Sequence, residues 1–295
     1  MRHERKDNRR NVWQLNKVLP WTTYLNFCMQ KMPRLLKMFR SDKKGMYRDG
    51  EKILFDVITG FSAGSQRTSI YKCGIPSREI DNYLEKTLLG NYLVPGEKKE
   101  SYVPTPKGQA YVHNHKFEHL LLTTGGDNDP YVESYSSKIL NSQIEGFIFS
   151  LQSILEKAEV KEKMKIFNGK KREKYQIIEE ILDKAVDGVK KSHLIPKEDG
   201  CNLSFIQLQN YLLNLGKTNM IALNDGGYKT TLKGQMFVIS HELQQSFLET
   251  GGKEDPYLNP ELIAQIEAAL SLMLKVRIPP TTLVSLFEEP IIIGK

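Results

Sequence analysis

The feature that most limits what this chain can fold into is an echo inside it. Thr105-Pro-Lys107-Gly108-Gln109-Ala-Tyr111-Val112 returns 126 residues later as Thr231-Leu-Lys233-Gly234-Gln235-Met-Phe237-Val238. His115 and His241 keep that spacing, as do Thr124-Gly-Gly and Thr250-Gly-Gly, and Asp129-Pro-Tyr131 and Asp255-Pro-Tyr257. Upstream the offset becomes 128, where Cys73 meets Cys201 and Asn82-Tyr83-Leu84 meets Asn210-Tyr211-Leu212. A period this long is too large for a solenoid and suits a small domain made twice. The two-residue change of offset predicts a hairpin loop of unequal length, because loops absorb insertions at least cost.

The second copy has the clearer pattern. Tyr175, Ile178, Ile181, Leu182 and Ala185 recur at helical spacing and predict a helix over 173–186, ended by Gly188. Lys190 to Ile195 predicts a short second helix, and Asp199-Gly200 a turn. Ser204 is the expected N-cap of a third helix, whose buried stripe is Leu208, Tyr211, Leu212 and Leu215 and whose end is Gly216. A strand over 219–223, the turn Asn224-Asp-Gly-Gly227, a returning strand over 228–231 and a last helix carrying Phe237, Val238 and Leu243 complete the unit. The first copy repeats the order. Ile53, Leu54, Val57 and Ile58 form one helix, Pro76-Ser77 opens the third, and Tyr92–Val94 and Ser101–Val103 flank a wing with Gly96, Lys98 and Lys99. The expected fold class is therefore mainly α with small β-wings, a tandem winged helix-turn-helix with helical connectors. The expected segments are a basic extension (1–50), a winged domain (51–122), a connector with a long helix (123–169), a second winged domain (170–249), and a connector, helix and tail (250–295).

Three motifs carry a family resemblance. They are Gly188-Val-Lys-Lys-Ser-His-Leu-Ile, Asn202-Leu-Ser-Phe-Ile-Gln-Leu-Gln-Asn-Tyr-Leu212 and, after the wing, Tyr228-Lys-Thr-Thr-Leu-Lys-Gly234. In this order they resemble the archaeal winged-helix transcriptional regulators. The resemblance covers about 80 residues of the second copy and, more loosely, about 70 of the first. It implies double-stranded DNA as partner, a recognition helix beginning at Ser204, and contact with the transcription machinery. The first copy departs from the pattern, with Pro76 where Ser204 stands and only Arg67 in place of the Lys190-Lys191 pair.

A helix about 10–12 Å across fits the major groove of B-DNA, and its first turns meet the base edges. In the second copy the side chains off the buried stripe are Phe205, Ile206, Gln207, Gln209 and Asn210. Gln and Asn can pair with adenine, and Phe205 or Ile206 can touch thymine methyls. In the first copy Ser77, Arg78, Asp81 and Asn82 face outward, with Arg78 suited to guanine. Phosphate contacts are expected from Lys190, Lys191, Lys170, Lys171 and Arg172, and from Lys98, Lys99 and Lys229 of the wings.

Charge alone does not make this argument. Residues 1–50 hold thirteen Lys/Arg against four Asp/Glu, so the net +7 belongs to the extension and the other 245 residues carry −2. That extension, with Trp13, Trp21, Tyr24, Phe27 and Phe39, has three readings. It grips DNA, lies on a membrane, or is absent if translation begins at Met46. No apolar run approaches a membrane span, no signal-peptide core follows Arg10, and three cysteines argue against a disulfide framework, which points to a cytoplasmic, nucleoid-associated chain.

No metal and no cofactor is expected. His113, His115 and His119 cluster, but without a completing carboxylate or cysteine they are expected on a solvent-facing helix. Cys73 and Cys201 are expected to pack as small apolar groups under the recognition helices. Asp129 and Asp255, each followed by Pro, suit helix N-caps. No Walker loop or zinc-protease motif occurs, so enzyme activity is not expected. Residues 136–164, with Ile139, Ile144, Phe147, Ile148, Leu151, Ile154 and Leu155, and 260–275, with Leu262, Ile263, Ile266, Leu270, Met273 and Leu274, present broad apolar faces. These are expected to pack within the chain as a monomeric pseudo-dimer, or between chains as a homodimer. The competing function is a winged-helix protein-interaction module without sequence-specific DNA binding.

Overall fold

The computed structural model describes residues 50–61, 77–98, 100–126, 129–131, 138–158, 174–195, 200–224 and 226–276. All lie in one unit, Asp49–Lys295. The readings placed on the extension, on Arg67, Cys73 and Lys99, and on Lys170, Lys171 and Arg172 fall outside the described residues.

The first half runs α1 (Gly50–Gly60), α2 (Ser77–Leu89), β1 (Leu93–Pro95), β2 (Tyr102–Pro104), α3 (Pro106–Thr123) and α4 (Lys138–Lys157). The second runs α5 (Lys174–Lys184), a 3-10 turn at Lys191–Leu194, α6 (Phe205–Lys217), β3 (Ile221–Asn224), β4 (Gly227–Thr230), α7 (Leu232–Leu248), a 3-10 turn at Pro256–Leu258 and α8 (Pro260–Leu274). The described chain is thus mainly helical, with two small antiparallel hairpins.

Both hairpins begin and end on matching registers. Leu93 pairs Pro104, and Ile221 pairs Thr230, so the first hairpin is longer by two residues, its turn being four residues longer and each strand one residue shorter. In the second, Asn224 pairs Gly227, so the turn is two residues long, with Gly226 at φ +84°. A two-residue loop of this kind needs positive φ, which Gly supplies without strain.

The Thr-x-Lys-Gly motif has a physical basis on each side. Thr105 and Thr231 cap α3 and α7, their Oγ1 accepting from the backbone N–H of Gly108 and Gly234. The same hydroxyls donate to the carbonyls of Asn91 and Asn219. The helix start is thereby pressed onto the chain entering the hairpin. A Cβ on Gly108 would stand 2.2 Å from the Tyr92 carbonyl oxygen, and one on Gly234 2.3 Å from that of Met220. No larger residue fits there without moving backbone.

The connectors cross over. α4, which follows the first half, packs on α7 of the second, while α8, which follows the second half, packs on α3 of the first. α3 and α7 also pack on each other, and α4 on α8. Ile144, Phe147, Leu151 and Ile154 of α4 and Leu262, Ile263, Ile266, Leu270 and Met273 of α8 are buried by this exchange. Full burial of such a side chain contributes about 1.5–3 kcal/mol. The apolar faces of both connectors are thus covered within one chain.

Several expectations need correction. Ile139 is 70% exposed rather than part of the buried stripe. At 3.6 residues per turn it sits about 140° around α4 from Ile144. Gly216 does not end α6. The helix runs through Lys217, and the left-handed residue is Asn219, at φ +57°. The strand expected from 219 therefore starts at Ile221, and each predicted strand is displaced by one or two residues. Tyr83 and Tyr211 are half-buried rather than core. Asp255 caps the 3-10 turn, not the long helix, whose cap is Asn259.

Candidate nucleic-acid interface

α6 is held from one side only. Leu208, Leu212 and Leu215 are buried, while Ser204, Phe205, Ile206, Gln207, Gln209 and Asn210 are exposed. Its first turn is a capping box. Ser204 Oγ accepts from the Gln207 N–H, and Gln207 Oε1 accepts from the Ser204 N–H at 3.0 Å and from its hydroxyl at 2.9 Å. This satisfies donors that a helix start otherwise leaves to water. It also commits the Gln207 carbonyl locally, leaving Gln209 and Asn210 as the exposed amides of the following turn.

A cation lies against this helix: Lys191 Nζ is 3.9 Å from the centre of the Phe205 ring. Lys190 and Lys229 line one shallow cleft with Asn224 and Asp187. The cleft forms because Val189 pairs with Tyr228, tying the entry to the 3-10 turn onto the hairpin. Leu223, on the same hairpin, is 69% exposed. Cys201 is buried before the N-cap, as expected for a compact apolar group.

In the first half, Ser77 and Arg78 open α2, and Asn82 is exposed beside Asp81 and Glu85. Lys98 is exposed in the longer hairpin turn, where its carbonyl accepts from Ser101 Oγ at 2.7 Å. α2 thus exposes the acids Asp81 and Glu85 beside Asn82, unlike the uncharged first turns of α6.

A second arrangement, between the halves, was not foreseen from the sequence. Lys107 of α3 is 1% exposed and donates to Thr250 O, Thr250 Oγ1 and Asp255 Oδ2, at 2.9, 2.9 and 2.7 Å. Lys233 of α7 does the same in reverse, to Thr124 O and Oγ1 at 2.8 Å and to Asp129 Oδ2 at 2.5 Å. Asn91 Nδ2 donates to Gly252 O and Asp255, and Asn219 Nδ2 to Gly126 O and Asp129. Each half therefore closes a buried ammonium–carboxylate pair with the connector of the other. Burial lowers both lysines to a pKa of about 8, against the opposing pull of Asp255 and Asp129. The signal for this pairing was in the echo itself. Thr, Lys, Asn and Asp recur together, though Asp alone was given a role, as an N-cap. Asp255 caps the 3-10 turn, accepting the N–H of Tyr257, and Asp129 accepts that of Tyr131 where no described helix begins.

The histidines also differ from expectation. His115 is buried, not solvent-facing, because α3 packs against α7 at that point. It stacks on Tyr111 as His241 stacks on Phe237. Glu118 lies between them, 3.3 Å from His241 Nδ1 and 3.7 Å from His115 Nδ1. His113 bonds Glu267 of α8 at 2.7 Å, and His119 is exposed. Among the described residues no group of His, Cys, Asp or Glu is arranged to hold a metal ion. No described helix is long and apolar enough to cross a membrane.

Comparison with protein families places this geometry. Residues 171–246 match the family described as Winged helix-turn-helix. The match begins just before α5 and ends within α7, spanning the capped helix and the hairpin. No curated protein and no solved structure matches the chain.

Proposed function

From the winged-helix identity of residues 171–246, we propose that the chain is a double-stranded DNA-binding transcriptional regulator. Two winged-helix domains, 51–122 and 170–249, would place α2 and α6 in major grooves and the hairpins on the backbone. The observation that carries this reading is the surface of α6. Its polar and apolar side chains point away from the core, with Lys191 against Phe205 and with Lys190 and Lys229 in the cleft of the adjoining hairpin. Ser77, Arg78 and Asn82 on α2, with Lys98 and Lys99 on its wing, are the corresponding contacts of the first domain. Because α4 lies on α7 and α8 on α3, one chain would act as its own dimer and occupy a promoter as a monomer.

The test is a gel shift of the full chain on genomic fragments at two salt concentrations. Neutralising about five phosphates predicts an affinity loss on the order of 10²–10³ between 50 and 200 mM salt. Specific complexes should survive competitor DNA. The alternative, a protein-interaction module, takes support from the exposed Phe205, Ile206 and Leu223. It would show neither the salt dependence nor the competitor-resistant complex.

A further inference from the structure

The segment Cys201–Gly216 contains no Lys, Arg, Asp or Glu. Within it, Ile206, Gln209, Asn210 and Leu213 follow at intervals of three, one and three residues and so share one helical face. Ile206 is 71% exposed, Leu213 57% and the neighbouring Phe205 54%, while Gln209 and Asn210 are exposed amides. In the major groove, guanine is read by Arg or Lys and cytosine by Asp or Glu. Adenine is read by Gln or Asn, and the thymine methyl by apolar side chains. The face of α6 carries both of the last two classes and neither of the first two.

We propose that α6 reads a run of A·T pairs, with thymine 5-methyl groups against Phe205 and Ile206 and adenine N6 and N7 on Gln209 and Asn210. This inference rests on the regulator reading above and names the DNA it would take. Seven residues of helix advance about 10 Å, the length of about three base-pair steps. A cation stands at the edge of this face rather than on it, Lys191 over the Phe205 ring, and Lys190 and Lys229 line the cleft of the adjoining hairpin. Phosphate beside an uncharged reading surface suits that placement, and it favours a duplex over an apolar protein partner. α2 carries Arg78 and exposes Asp81, Asn82 and Glu85, so the two halves of a bound site would differ in sequence.

The experiment is selection of duplexes from a random pool by the full chain, followed by thymine-to-deoxyuridine replacement in the enriched site. The expected result is an enriched run of three or four A·T pairs. Each contacted thymine should lose about fourfold in affinity when its methyl is removed, the ~0.8 kcal/mol of one buried carbon. Ile206→Ala, at an exposed position that leaves the thermal midpoint unchanged, should abolish that sensitivity at one thymine. Enrichment of G·C pairs, or indifference to deoxyuridine in a duplex that is bound tightly, overturns the A·T assignment and leaves the regulator reading standing. Retention of no duplex at all overturns both, as does capture of a protein partner in a manner blocked by Ile206→Asp without any DNA binding.

Discussion

Replacing Lys233 and Asp129 one at a time and together isolates what the crossed ion pair does. Lys233 is buried with carbonyl, hydroxyl and carboxylate acceptors around its ammonium: Thr124 O, Thr124 Oγ1, Thr218 O and Asp129 Oδ2. Lys233→Met would leave the Asp129 carboxylate buried, with the Tyr131 N–H and the Asn219 amide as its donors among the described residues. Asp129→Asn would leave a buried ammonium facing neutral acceptors. Stranding one charge of a buried pair typically costs about 3–5 kcal/mol, whereas removing both together costs far less. Each single variant should therefore lose about 3 kcal/mol, and the double variant should recover at least about 2 kcal/mol of the sum. Urea unfolding of the full chain followed by far-UV circular dichroism measures this. Losses that add within about 0.5 kcal/mol would refute the reasoning, because additivity means that the two charges do not depend on each other.

The same lysines set a pH response. Unfolded, they hold their protons up to about 10.5, and in the fold they release them at about 8, so between those values the unfolded chain binds more protons and stability rises with pH. One unit above the folded value, at pH 9, this amounts to about 1 kcal/mol per lysine. Burial acts oppositely on Tyr92, Tyr111 and Tyr257, raising them, the last to about 12, so stability should fall once pH passes about 10. Urea midpoints should thus climb from pH 7 to 9 and turn down above 10, and Lys107→Met with Lys233→Met should remove the climb. Gly234→Ala should lose about 2–3 kcal/mol or fail to fold. Its Cβ would meet Met220 O at 2.3 Å and Thr230 Cγ2 at 2.7 Å, contacts that only a backbone shift relieves. Gly146→Ala, where a Cβ meets nothing within 4 Å, should be neutral or slightly stabilising in the same thermal melt.

Much of the local structure was legible in the order of residues. Ser204 and Gln207 make their capping box within one turn, Thr105 and Thr231 cap over three residues, and Asp225-Gly226 fits a two-residue turn. Such interactions join neighbours, so spacing along the chain is enough to find them. The apolar stripes of α4 and α8 were legible too, as faces that had to be covered.

What covered them was decided by tertiary structure. A stripe at helical period says which side of a helix avoids water but not which helix it meets, and here each connector lies on the half it does not follow. The same crossing buries His115, sends Lys107 and Lys233 into the opposite connector, and uses the side chains of Asn91 and Asn219 to bind that connector where the helix ends. Those partners stand more than a hundred residues away from the lysines, at Thr250 and Asp255 and at Thr124 and Asp129. Recurrence in the sequence marked all of these residues. Only the packing of one half upon the other could assign them to each other, because a long-range ion pair depends on where two surfaces come to rest and not on any local rule of the chain.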